Sequence, residues 1–118
     1  MIFNMKLEPK PFAAILNGKK TIELRLRDKK RQAIKPGDII RFNQINDPQS
    51  YILTKVVNIY SAETFADLFK TIPLDKCGYS KDDLNSVSPE ERMNEYYSIE
   101  QQLMYGVLGI EIIKIEHV

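Results

Sequence analysis

Between residues 21 and 27 the chain reads Thr-Ile-Glu-Leu-Arg-Leu-Arg, and polar and apolar side chains alternate without a break. Successive side chains of a strand point to opposite faces. Ile22, Leu24 and Leu26 therefore share one face, and Thr21, Glu23, Arg25 and Arg27 share the other, which predicts a strand. Residues 2–7 predict a short first strand. Between the two, Phe12, Ile15 and Leu16 recur at helical spacing. Pro11 suits a first helical turn, where its missing N–H is no loss, and Gly18 stands where a helix C-cap belongs. A short helix over 10–18 follows. Downstream, Asp28 to Arg31 is a charged loop, Lys35-Pro36-Gly37-Asp38 a turn, and residues 39–42 the next strand. Asn46-Asp47-Pro48 predicts another break. Residues 51–60 predict a longer strand with Ile52, Leu53, Val56, Val57 and Ile59 spread over both faces, as in a strand inside a closed or covered sheet.

The last third is helical by pattern until its end. Residues 62–70 predict a helix with Phe65, Leu68 and Phe69 inward, and Thr71 to Tyr79 is irregular. Ser88-Pro89-Glu90-Glu91 combines an N-cap serine, a proline at the first helical position and a glutamate at the third, a strong helix start. Ser98 and Gln101 repeat the logic, Tyr105-Gly106 closes that helix, and residues 107–115 form the final strand. The sum is α+β: five or six mostly antiparallel strands, with helices between the first two and between the last two. Few of the helices have the length to cover a parallel sheet, so a small curled or barrel-like sheet is expected.

Composition narrows this picture modestly. A length of 118 residues predicts one domain with a core that needs neither metal nor disulfide. Seventeen Lys and Arg against sixteen Asp and Glu leave a net charge of +1, so any anion binding has to come from local clustering. The single cysteine, Cys77, cannot form an intramolecular disulfide. The opening residues lack the apolar run of a signal peptide, and no stretch reaches the ~20 apolar residues of a membrane span. A reduced, cytoplasmic setting is the expectation, with no membrane and no cofactor.

The polar face of the 21–27 strand is where chemistry concentrates. A helix ends at Gly18, Lys20 stands at the junction, and Glu23 and Arg25 project from the same strand face, roughly 6–7 Å apart. Arg27 extends the row. One reading is a solvated face whose charges keep an edge soluble. The other is a site, because two cations and one anion in register are launched from a fixed helix end.

The spacing Gly18-x-Lys20-x-x-Glu23-x-Arg25, followed by Pro36-Gly37-Asp38 and a strand, resembles the signature of the ASCH family, the activating-signal-cointegrator homology domains. The lead-in Phe12, Ile15, Gly18, Lys20 and the closing Tyr105-Gly106-Val107 are similar to bacterial members as well. The resemblance implies a β-barrel related to the PUA fold of RNA-modifying enzymes. It also implies a cleft between barrel and helix where Lys20, Glu23 and Arg25 converge, and RNA binding as the general role. One branch of the family instead hydrolyses the acetyl amide of N4-acetylated cytidine, with a lysine at the position of Lys20, a threonine at that of Glu23, and a further glutamate. Here Glu23 replaces the threonine, and Asp75 is only the nearest carboxylate to the missing glutamate.

The expected role is therefore binding of RNA or of a nucleotide or nucleoside ligand by Lys20, Glu23 and Arg25, joined by Arg27 and Arg31. Lys20 and Arg25 offer charge-assisted donors to phosphate, and Glu23 either orients them or accepts from a base amino group. The alternative is an amidohydrolase acting on an N4-acylated cytidine-type nucleoside, with Lys20 and Glu23 as its catalytic residues. Lys29, Lys30 and Lys35 make a basic stretch that is either a solvated loop or a phosphate-contacting rim. Tyr96, Tyr97 and Tyr105 are candidates for base stacking, with core packing expected for at least two. One His (His117) and one Cys offer no metal site.

Overall fold

In three dimensions the alternating segments become a single five-stranded sheet, curled into a half-barrel, in the order β1-β3-β4-β5-β2. The computed structural model describes residues 1–84 and 87–117. The strands are β1 (Ile2–Leu7), β2 (Ile22–Leu26), β3 (Ile39–Gln44), β4 (Asp47–Ala62) and β5 (Val107–His117). The helix α1 (Pro9–Leu16) joins the first two strands. Four more, α2 (Phe65–Leu68), α3 (Lys81–Leu84), α4 (Pro89–Tyr96) and α5 (Ile99–Tyr105), lie between the last two; the sequence predicts helices there, but not α3. Only the β1–β3 pair is parallel; the other three pairs are antiparallel. Strands β1 and β2, neighbours in sequence, end up at opposite edges of the sheet.

Two apolar cores follow from this order. The first gathers Phe3, Met5 and Leu7 of β1, Phe12 and Ile15 of α1, and inward residues of β3, β4 and β5. The second gathers Ile22, Leu24 and Leu26 of β2 with Phe65, Leu68, Ile72, Cys77 and Met93 from the helical segment. The three alternating apolar residues of β2 are thus buried as their pattern requires. Each contributes about 1.5–3 kcal/mol of burial, which fixes the register of the strand and with it the direction of Glu23 and Arg25.

Three expectations are corrected. The helix expected over 62–70 is confined to Phe65–Leu68, because Ala62 is still paired with Val107 and the Thr64 side chain caps the helix at the Asp67 N–H. The break expected at Asn46-Asp47-Pro48 is a tight turn ahead of Asp47, which is already paired with Gln44. The strand over 51–60 is not covered on both faces. Ile52, Thr54 and Val56 point inward, whereas Val57 is 42% exposed, and irregularities at Leu53/Thr54 and Val56/Asn58 shift the register against β5. Val57 faces outward by the ordinary alternation of a strand, and the irregularity there leaves Asn58 exposed as well. Among the described residues no helix is long and apolar enough to cross a membrane.

Candidate functional site

The helix-to-strand junction is built from backbone contacts before any charge enters. Gly18 adopts φ +83°, the left-handed conformation that ends a helix at no steric cost, and its N–H donates to the Ile15 carbonyl. The Lys20 N–H then donates to the Ala14 carbonyl, pinning Lys20 to the last turn of α1. On the other side Thr21 and Ile22 both donate to the Lys76 carbonyl, and Lys20 forms an isolated bridge with Cys77. Gly78, at φ +93°, packs on the Lys20 stem so closely that an added Cβ would stand 3.3 Å from its Cδ. The lysine is therefore held from both ends of a fold-back that brings residues 76–78 beside β2.

Glu23 lies at the centre, with its side chain only 4% exposed. Its Oε1 accepts from Lys20 Nζ at 2.8 Å and from the Leu24 N–H at 3.2 Å. Its Oε2 accepts from Arg25 Nε at 3.0 Å and Nη2 at 2.8 Å. Burial on its own would push the Glu23 carboxyl up. The charges of Lys20 and Arg25, and the hydrogen bonds both donate, outweigh it and hold the group down at about 2. The triad retains one unit of positive charge. Arg25 Nη2 also donates to the Lys6 carbonyl at 2.9 Å, so a β2 side chain reaches the backbone of β1. The two edges of the curled sheet are tied together at this point, and the site sits on their seam.

Above the triad opens a cleft of about 380 Å³ lined by all three residues. That volume is at the lower end of small-molecule pockets. Its β1 and α1 side carries Lys6 and Lys10; its opposite wall, from the helical segment, carries Tyr79, Arg92, Tyr96 and Tyr97. Tyr97 stacks on Phe65, with centroids 5.9 Å apart, and belongs to the second core. Tyr96 is 73% exposed and Tyr105 39%. Core packing expected for at least two of the three tyrosines thus holds for Tyr97 only, and Tyr105 lies outside the cleft.

Lys20, Glu23 and Arg25 are brought together; Arg27 and Arg31 are not brought to them. Arg27 is exposed beyond the end of β2, its N–H on the Gly106 carbonyl. Arg31 pairs with Asp28 through Nη1 at 2.6 Å. Neither lines the cleft, nor do Lys29, Lys30, Lys35 or Asp75. Cys77 is buried, and burial pushes its thiol up to about 12, so it is no thiolate nucleophile at neutral pH. The His117 side chain lies outside the described residues. Among the described residues no three His, Cys, Asp or Glu side chains gather as a metal site. Tyr79 and Arg92 are the lining residues that sequence reasoning passed over. Nothing local marks them, since only the packing of the helical segment against β2 brings them to the cleft.

With the geometry in place, comparison with known proteins is informative. The family model of the ASCH domain matches residues 5–116. The crystal structure of hypothetical protein PH0355 aligns over 98% of this chain and 100% of its own, at 32% identity and a TM-score of 0.78. Protein PF0455 from Pyrococcus furiosus, solved by NMR, covers 98% and 99% at 28% identity and a TM-score of 0.70. ASCH from Zymomonas mobilis covers 99% of this chain and 72% of its own at 16% identity and a TM-score of 0.67, a likeness of fold alone. No curated protein matches the chain.

Proposed function

This chain belongs to the ASCH domain family, and from that premise we propose that it is a binding module for RNA or a nucleotide-like ligand, held in the cleft over Lys20, Glu23 and Arg25. The observation that carries the reading is the triad itself: two cations neutralised only by half, nearly dry, at the base of a cleft with tyrosines on its wall. Charge-assisted donors in a partly dehydrated site are strong phosphate ligands, and exposed Tyr96 offers a face for a base. Arg27 and Arg31 do not line the cleft. They bear on the proposal only as contacts for the flanking backbone of a longer RNA.

Hydrolysis of an acylated nucleoside is a poorer fit. Lys20 Nζ is engaged on the Glu23 carboxylate at 2.8 Å, a donor in that contact rather than a proton acceptor. Glu23, depressed to about 2, is a weak base for water. The overall charge of +1 also limits non-specific affinity. Titration with short single-stranded RNA and with nucleotides tests the proposal. Binding should be weak, visible at low salt, and should fall roughly seven-fold between 50 and 200 mM salt if two phosphates are contacted. Absence of binding to either at low salt would overturn it.

A further inference from the structure

The hydrogen-bond inventory of the triad is uneven. A carboxylate has about four acceptor positions, and Glu23 fills them with Lys20 Nζ, the Leu24 N–H, and Arg25 Nε and Nη2. It has no capacity left for a ligand. Lys20 has three N–H donors and uses one of them, on Glu23, among the described residues. Arg25 places Nε and Nη2 on Glu23 and Nη2 again on the Lys6 carbonyl, which leaves the hydrogens of Nη1 without a partner among the described residues. Both cations line the cleft and keep 12% and 14% exposure. What the triad offers a ligand is therefore donors only, with a net positive charge behind them.

We infer that the group seated against Lys20 and Arg25 is an oxyanion of the ligand, a phosphate or a carboxylate, and that Glu23 never touches it. Glu23 is a positioning residue: it aligns both cations from behind and stops them repelling each other in a site with little water. An exocyclic amino group, itself a donor, would find no acceptor on the triad. The inference rests on the cleft being the ligand site and adds which part of the ligand lies deepest. A neutral nucleoside would gain nothing from the charge of the triad, while its 5′-monophosphate would add charge-assisted bonds of the strong class.

The test compares the four ribonucleosides with their 5′-monophosphates, and includes inorganic phosphate and acetate, each titrated by calorimetry into the full chain at low salt. The monophosphates should bind about ten-fold or more tighter than the nucleosides. Inorganic phosphate should compete with them, and acetate competing as well would place carboxylate ligands within reach of the same site. Lys20→Gln, which keeps a donor and a similar stem but no charge, should erase most of the difference between nucleotide and nucleoside. Glu23→Gln should reduce the same difference, with folding monitored by circular dichroism. Nucleosides binding as tightly as nucleotides would overturn this inference and leave the cleft reading standing. No binding by any of these probes, nor by short single-stranded RNA at low salt, would overturn both.

Discussion

Glu23 is buried with two cations on it, so its charge contributes to stability. Its folded-state value of about 2 lies below the ordinary 4.5. The unfolded chain therefore takes up the proton first as pH falls. The stabilisation is complete above about pH 4.5 and is lost between there and about pH 2, a loss on the order of 3 kcal/mol. Denaturant titrations across that window should show the decline, and Glu23→Gln should flatten it. Removing one cation is costly for the same reason. Lys20→Ala and Arg25→Ala each leave a buried charge half-paired and should destabilise by about 3–5 kcal/mol if no water enters. Midpoint shifts in urea report this directly, and Lys20→Gln is the milder probe of binding. Incubation with N4-acetylcytidine should give no deacetylation; turnover that disappears in both Lys20→Ala and Glu23→Gln would promote the enzyme reading. The identities of Lys20, Glu23 and Arg25 were legible from spacing, whereas the saturation of Glu23 was not, because the Leu24 N–H enters through backbone geometry.

Elements whose signals are local were read correctly. The capping box of α5, with the Ser98 side chain on the Gln101 N–H and Gln101 reaching back to the Ser98 N–H, is written in the sequence. So are Ser88 at the start of α4 and the glycine after α1. The loop that precedes α3 carried no such signal, and it turned out to be half of the junction that holds Lys20. Gly78 makes this testable. A side chain there must accept φ +93° and displace the Lys20 stem. The conformation alone costs roughly 1–2 kcal/mol. Gly78→Ala should lower the thermal midpoint accordingly and weaken nucleotide binding beyond what the lost stability explains. Unchanged binding in a destabilised variant would separate the loop from the site. The bulges of β4 were likewise illegible, since Val56-Val57-Asn58 gives no sign that the register shifts there.

At the scale of the whole molecule, the α+β class, the strand count and the placing of helices between strands follow from the patterns, and the curled sheet follows from having few helices long enough to cover a flat one. The strand order does not. Nothing local places β1 parallel to β3 or carries β2 across to β5, and it is this order that leaves β1 and β2 as edges meeting at a seam. The cleft exists because the seam is bridged by Arg25 and walled by a distant helical segment. A ligand seated on this seam can be mapped by backbone amide shifts while a short single-stranded RNA is titrated in at low salt. Perturbations should concentrate at Lys6, Lys20, Glu23, Arg25, Tyr79 and Tyr96, and be lost together when salt is raised. Perturbations that spare these residues and fall instead on Arg41 and Tyr51, whose cation–π pair lies on β3 and β4 away from the cleft, would contradict that placement.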